Sequence, residues 1–363
     1  MSRNVDPHIP ANILFQWHIT DRCNLRCNHC YQESHSSADP SWTDLLAILD
    51  QFKSFILHYR NMNGQERFKA HITVTGGEPF VRADFAALLE KFAEARHLFS
   101  FAILTNGTML TEADVKRLKS LKPGFVQVSI DGTKETHDRI RGYGSYDQAV
   151  RGLTLLARAK IRAHISFTAT RRNYHEFSHV ARIGQRLGVT RVWSDRMVPC
   201  HPVLLRDDDL LSSEETREYI SSMHSEQQRT WLRRSPVKLL RALQFMPTGS
   251  RPYRCTAGDT LVAVLPNGDV LPCRRLPIIA GNIFENSLDS LYQTSEVFLR
   301  LRNRETLSKG CEQCYYARTC GGGARCIANA VYGSPFRADP GCWIAAGASN
   351  AEPRSISTLN ERT

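Results

Sequence analysis

Six short apolar runs recur between residues 13 and 193, and this recurrence constrains the fold more than any other feature: Ile13–Ile19, His71–Val74, Phe99–Leu104, Phe125–Ile130, His164–Thr168 and Val189–Trp193. Each run but the last is followed by a stretch with helical apolar spacing. The first such stretch is expected to start at Asp39, with Pro40 at its first position, where a missing N–H costs nothing. It would turn Leu45, Leu46, Leu49, Phe52 and Ile56 inward. Thr111 is placed to cap the N–H of Asp114 ahead of Val115 and Leu118. Ala149, Leu153, Leu156 and Ala157 repeat the spacing after Gly144-Ser145-Tyr146. Strands alternating with helices through short connections pair in parallel, with the crossovers covering the sheet. The expected class is α/β, a partial (β/α)6 barrel of the TIM type, with its chemistry at the carboxyl ends of the strands.

The residues at those ends carry reactive groups. After the first run comes Cys23-Asn-Leu-Arg-Cys27-Asn-His29-Cys30-Tyr31, a C-x3-C-x2-C loop closed by an aromatic. Three thiols on so short a loop can converge on one metal centre. A four-iron cluster held by three cysteines keeps one iron free; a zinc ion that drafts His29 as fourth ligand uses the same residues. After the second run, Gly76 and Gly77 allow a close backbone approach, Glu78 suits an ammonium group and Pro79 fixes the exit, although a tight strand-to-helix turn accounts for them equally. Asn106, Ser129 and Asp131 sit at the next two strand ends, where small amide, hydroxyl and carboxylate groups can meet a ribose or carboxylate. By spacing alone Arg141 reads as a surface ion-pair residue and Met197 as core packing.

From 201 to 250 the pattern turns charged and helical, with Ser212-Ser213-Glu214-Glu215 as a capping box. Pro247-Thr248-Gly249-Ser250-Arg251-Pro252 reads as a linker. The division expected is a core over 1–200, a helical connector over 201–250, a cysteine-rich domain over 251–345 and a flexible tail over 346–363. Of the eleven cysteines, seven lie between Cys255 and Cys342, and the solitary Cys200 is expected to be a buried free thiol. Val262 to Leu271 reads as a hairpin turning at Asn267-Gly268, which returns Cys273 toward Cys255. The pair Cys311 and Cys314, followed by Cys320, is a strong metal signal that zinc ribbons also use.

Lysine and arginine exceed acids by 47 − 36 = 11. The excess admits an anionic partner, but it is spread along the chain. Even Arg300-Leu301-Arg302-Asn303-Arg304 reads as a solvated helix, so nucleic acid is not expected. No apolar run approaches the ~18 residues of a membrane span, and the first residues lack a secretory pattern. The expected location is the cytoplasm, where disulfides are unusual and cysteines point to metal.

Taken in order, these motifs resemble the radical S-adenosylmethionine (radical SAM) enzymes with a C-terminal SPASM domain. The C-x3-C-x2-C loop and the Gly-Gly-Glu-Pro turn match the core. The tail follows the SPASM order C, G-x4-C, C-x2-C-x5-C-x3-C, C, except that five residues, Gly321 to Arg325, separate Cys320 from Cys326 where the family has three. The resemblance implies three [4Fe–4S] clusters and S-adenosylmethionine as cofactors. Cys23, Cys27 and Cys30 would hold the cluster that binds S-adenosylmethionine. Cys311, Cys314, Cys320 and Cys342 would complete one auxiliary cluster. Cys255, Cys273 and Cys326 would hold another with an open iron or a non-cysteine ligand such as Asp259. Glu78 would hold the cofactor's amino group, Ser129 and Arg141 its carboxylate, and His29, Gly77 and Met197 would line its site beside Tyr31, Gly76, Pro79, Asn106 and Asp131.

The His137-Asp138-Arg139-Ile140-Arg141-Gly142 stretch and the seven-cysteine tail resemble the peptide-modifying branch. That implies a 5′-deoxyadenosyl radical abstracting hydrogen from a peptide or small protein, as in cross-link or thioether formation, with electrons from a flavodoxin- or ferredoxin-type donor. Alternatives are a sulfatase maturase, disfavoured because Arg274 stands where those relatives have an aspartate, a haem- or porphyrin-modifying enzyme, and a zinc-stabilised binding module.

Overall fold

The computed structural model describes residues 8–32, 35, 38–63, 68–199, 209–229 and 235–345. The apolar runs form β1 (Asn12–His18), β2 (Lys69–Thr75), β3 (Ser100–Thr105), β4 (Val126–Ser129), β5 (Ala163–Ala169) and β6 (Arg191–Arg196), paired in parallel in chain order. Between them run α1 (Trp42–Asn63), α2 (Phe85–Glu94), α3 (Glu112–Leu121), α4 (Lys134–Arg141), α5 (Ser145–Arg158) and α6 (Phe177–Arg186).

Helix α1 shows why the pattern folds this way. Its Leu45, Ile48, Leu49, Phe52, Phe55, Ile56 and Tyr59 recur at helical spacing and are all buried, whereas Leu46 is half-buried. Phe52 stacks on Phe15 of β1 at 4.2 Å between ring centroids and meets Trp17 edge-on at 5.3 Å. Each such side chain removed from water contributes about 1.5–3 kcal/mol. The helix begins at Trp42 rather than Asp39. Ser41 Oγ accepts from the Asp44 N–H at 3.1 Å and Asp44 accepts from the Ser41 N–H at 2.9 Å, a reciprocal cap. Asp39 is instead drawn into an ion pair with Arg22 at 2.6 Å. Thr111 caps α3 through Asp114 as expected.

The capping box at Ser212 opens α7 (Ser213–Gln228). Beyond it Val237 bridges Val192 of β6. Cys200, residues 201–208 and 230–234 of the connector, and the 346–363 tail lie outside the described residues.

β7 (Leu261–Val264) and β8 (Asp269–Leu271) make the expected hairpin, with Gly268 at φ +87° in its turn, a conformation that favours glycine. The hairpin is not confined to the tail: β7 lies parallel on β1, with Leu14 opposite Leu261, and β9 (Gly281–Asn282) continues the sheet. The strand order is β6-β5-β4-β3-β2-β1-β7-β8-β9. The cysteine-rich region thus covers the edge that β1 would otherwise expose. α8 (Leu288–Thr294) and α9 (Glu296–Arg302) follow, with Tyr292 edge-on to Phe55 of α1 at 5.1 Å. α10 (Ala317–Cys320) and α11 (Arg325–Tyr332) complete the described helices.

Helix α9 departs from the solvated reading. Arg302 lies 3.7 Å over the Tyr292 ring and its Nε donates to Gly258 O at 2.7 Å, while Arg300 remains exposed beside Glu296. Among the described residues no helix is long and apolar enough to cross a membrane.

Candidate active site

A cavity of about 230 Å³ opens at the carboxyl ends of the strands. Cys23, Cys27, His29, Cys30 and Tyr31 line it from the loop after β1, Gly76 and Gly77 from the turn after β2, and Asn106 from the end of β3. Ser129 at the end of β4, Arg141 at the end of α4 and Met197 beyond β6 complete the expected wall. The cysteine loop is pinned from within by the Cys30 N–H donating to Cys27 O at 3.0 Å, and from outside by the Asn28 N–H donating to Ile140 O at 2.9 Å.

The two glycines serve a contact that the sequence does not reveal. A Cβ on Gly77 would stand 2.2 Å from Arg22 O, and one on Gly76 would stand 2.5 Å from Thr20 O. Their missing side chains let the turn dock on the stem of the cysteine loop, where the Gly77 N–H donates to Thr20 O at 2.7 Å and the Glu78 N–H to Arg22 O at 2.9 Å. The close approach is backbone on backbone, with one face of each glycine left toward the cavity.

Three expected contacts lie outside that wall. Pro79 opens a short 3-10 turn and is buried. Glu78 is fully buried, its carboxylate accepting from Thr105 Oγ1 at 2.7 Å, the Asn106 N–H at 2.7 Å and the Phe80 N–H at 3.3 Å. In this structure it ties the ends of β2 and β3 together rather than facing the cavity. Burial pushes its carboxyl up to about 7 against those donors.

Asp131 is likewise fully buried, behind the wall. One carboxylate oxygen receives Arg141 Nε at 2.5 Å and meets His29 Nε2 at 2.8 Å, and the other accepts from the Thr168 N–H at 2.9 Å. Burial works to raise this carboxyl, but the Arg141 guanidinium and His29 override it and hold it well below the usual carboxylate range. Arg141, read from spacing as a surface residue, is instead buried, with Nη1 3.8 Å from Cys27 Sγ. Asp131 therefore orients two cavity residues without reaching the cavity itself.

The thiols gather in the three expected sets. Cys27 is pushed up to about 11 by burial, eased by Arg141 but reinforced by Cys30 and Cys23. Cys326, despite the longer gap before it, is pushed up to about 12 by burial, with Cys273 and Cys255 close enough to add to the effect. Cys311 reaches about 12 by burial with Cys342, Cys320 and Cys314 beside it. The gap is accommodated by Gly321, Gly322 and Gly323, whose φ of +67°, +94° and +82° fold the chain back before α11. Thiols grouped in this way can ligate a metal centre, which would hold them deprotonated. Asp259, considered for the second set, is paired with His8 at 2.9 Å.

Several cavity residues were missed. Gln16, Gln127 and Ser166 line it from inside β1, β4 and β5; polar residues interrupting apolar runs were the available signal. Trp193 donates to Gln127 Oε1 at 2.9 Å. Asp195, Arg196 and Arg275 close the wall nearest the tail, with Arg275 Nη1 2.7 Å from Asp195 Oδ2. Nothing local to residue 275 marks it, because its partners are nearly 80 residues away.

Residues 17–182 match the radical SAM superfamily, and residues 255–315 match the SPASM iron–sulfur cluster-binding domain. The mycofactocin maturase MftC of Mycobacterium tuberculosis is 30% identical over 92% of this chain and 83% of its own length. An AdoMet-dependent heme synthase of Methanosarcina barkeri is 28% identical over 91% of this chain and 95% of its own. Among solved structures, anSMEcpe with bound AdoMet superposes with a TM-score of 0.73 at 18% identity, covering 93% of this chain and 95% of that one. Streptococcus suis SuiB bound to precursor peptide SuiA does so with a TM-score of 0.71 at 16% identity, covering 92% and 75%. At those identities the structural likeness is one of fold. With the cysteine sets, the strand-end cavity and these full-length matches together, the chain belongs to the radical SAM superfamily, among the enzymes that carry a SPASM domain and use [4Fe–4S] clusters with S-adenosylmethionine.

Proposed function

We propose that this enzyme modifies a ribosomally made peptide or small protein by abstracting hydrogen from it in the strand-end cavity. The observation that carries the reading is that Cys23, Cys27 and Cys30 share one cavity wall with Gly76, Gly77, Ser129 and Arg141. Cys23, Cys27 and Cys30 would hold the cluster that reduces the cofactor, and Arg141, aimed by Asp131, would hold the cofactor's carboxylate as a planar guanidinium does well. When bound, the cofactors supply an electron and a 5′-deoxyadenosyl radical. The chain's own part is orientation and exclusion of water: Trp193 tied to Gln127, and His29 tied to Asp131, leave these walls little freedom.

Cys255, Cys273 and Cys326 would hold one auxiliary cluster, one ligand short, and Cys311, Cys314, Cys320 and Cys342 another. The core, connector and cluster regions divide near residues 200 and 250. A cytoplasmic flavodoxin- or ferredoxin-type donor would supply the electrons. The peptide substrate is supported by the 30% identity to the mycofactocin maturase over most of both chains. Incubation with the precursor peptide encoded beside the gene, dithionite and S-adenosylmethionine should change the peptide's mass. Deoxyadenosine formed with the peptide unchanged would count against the reading.

A porphyrin substrate is the second reading, favoured by heme synthases that match along nearly their whole length. Copurifying tetrapyrrole absorption would support it. A sulfatase-maturase reading loses ground: Arg274, where a base is needed, donates to Tyr31 O at 3.3 Å and lies 5.0 Å over the Tyr31 ring.

A further inference from the structure

The turn after β8 reaches both sides of a gap in the barrel. The strand order ends at β6, so no strand pairing joins β6 to β1. Beyond β8, Cys273 and Leu276 face each other in an antiparallel bridge, and the Leu276 N–H donates to Cys273 O at 2.9 Å. Arg274 and Arg275 stand at the tip of that tight turn, and their side chains part. Arg275 goes to the end of β6, where Nη1 lies 2.7 Å from Asp195 Oδ2 and Nη2 donates to Arg196 O at 2.5 Å. Arg274 goes to the loop after β1, where Nη2 donates to Tyr31 O at 3.3 Å and the guanidinium lies 5.0 Å over the Tyr31 ring.

Tyr31 follows Cys30 directly and lines the cavity. A second group supports its ring: His18, at the end of β1, meets it edge-on with centroids 6.4 Å apart. Both supports are buried, His18 at 1% exposure and Arg274 at 7%. His18 Nε2 finds no hydrogen-bond partner among the described residues, and burial, then Arg274, holds the imidazole well below its ordinary range. It is therefore neutral beside the guanidinium. Burial also raises the Tyr31 phenol, Arg274 eases that rise, and Cys30 and Cys273 both add to it, so the ring stands between the first cysteine set and the tail's. Unlike Arg275, Arg274 has no carboxylate partner among the described residues; an aromatic face and a carbonyl hold it. A desolvated cation grips such a face more firmly than an exposed one. A guanidinium can stack and donate at once, which an ammonium cannot do as well.

We propose that Arg274 is a positioning residue for S-adenosylmethionine. Clamping Tyr31 from the turn after Cys273, it sets the first cysteine loop in the form that takes the cofactor, and so makes cofactor affinity depend on the tail's Cys273 site. The inference rests on the reading that Cys23, Cys27 and Cys30 stand at the cofactor's site.

The test is equilibrium dialysis of S-adenosylmethionine against the full chain, reconstituted anaerobically with iron and sulfide and left without reductant so that the cofactor is not cleaved. R274Q should raise Kd by at least about fivefold, the low end of ordinary coupling between sites, with the iron content unchanged. R274K keeps a cation on the ring and a donor for the carbonyl, and should fall between R274Q and wild type. Cys273→Ala should raise Kd in the wild-type background but by less than about twofold in R274Q, because the contact that transmits its effect is already cut. Should R274Q fail to load its clusters, R274M carries the measurement. A Kd unchanged in R274Q or R274M, or Cys273→Ala adding its full effect on top of R274Q, overturns the proposal. If replacing Cys23, Cys27 and Cys30 together by alanine leaves Kd unchanged, the reading of that loop as the cofactor's site fails, which is a separate result.

Discussion

The Asp131 carboxylate offers the sharpest test of how the cavity wall is held. It is fully buried and answers the Arg141 guanidinium at 2.5 Å and His29 at 2.8 Å. Asp131→Asn keeps the volume but removes the charge and turns an N–H donor toward one of three donors. At an effective dielectric of about 20, opposite charges about 4 Å apart interact by about 4 kcal/mol. Stranding one partner of a buried pair costs roughly 3–5 kcal/mol by measurement. The two figures agree, and a loss of that size is expected in urea unfolding of the cluster-free protein followed by circular dichroism. Arg141→Met removes the stranded cation, so adding it to Asp131→Asn should cost less than the sum, with a coupling of about 1–3 kcal/mol. The pH dependence follows from the direction of the shift. A carboxyl held below its usual range contributes its full stability above the unfolded value and loses it progressively as pH falls from there to the depressed folded value. The difference between wild type and Asp131→Asn should therefore be flat from neutral pH down to about pH 5 and shrink progressively below it, as the unfolded carboxylate takes up a proton that the folded one refuses. A loss under about 1 kcal/mol, or strict additivity with Arg141→Met, would refute the network.

Other expectations follow from the same geometry. Gly77→Ala puts a Cβ 2.2 Å from Arg22 O, so it should cost about 1–3 kcal/mol and lower the iron retained by the first cysteine loop, measured by iron content. Anaerobically purified protein should carry about twelve irons, as three four-iron clusters, and Cys326→Ala about four fewer; zinc with little iron would count against all cluster assignments. Glu78, pushed up to about 7 by burial, binds its proton more tightly folded than unfolded. Stability of the cluster-free protein should accordingly fall by about 3 kcal/mol as pH rises from its ordinary carboxyl value to about 7, a slope that Glu78→Gln should remove in paired unfolding curves. Arg196 pairs with Asp339 through two contacts, at 2.9 Å and 2.5 Å, and the Cys342 N–H donates to Asp339 O at 2.9 Å. Asp339→Asn should therefore strand Arg196, cost roughly 3–5 kcal/mol and release iron from the Cys311 set, read by iron analysis against the unfolding midpoint.

What the sequence determined by itself was everything set by local periodicity and spacing. The β1 to β6 runs, the caps at Thr111 and Ser212, the Asn267-Gly268 turn and the cysteine sets all depend on residues a few positions apart or on thiols that metal chemistry groups. Those signals survive in one dimension because one turn of helix, one pleat or one short loop contains both partners. Tertiary structure decided what depends on distant partners. The four residues of β7 carry no mark of their pairing with β1. Gly76 and Gly77 looked made for a ligand, and their tightest constraint is the backbone of Thr20 to Arg22. Arg141 looked like a surface residue until Asp131, ten positions earlier and buried between it and His29, compensated its charge. Arg275 acquires its place only when Asp195 and Arg196 at the end of β6 meet the loop after β8. A buried charge is stable only beside its counter-charge, and which charges become neighbours is settled when the tail joins the sheet, not by their order along the chain.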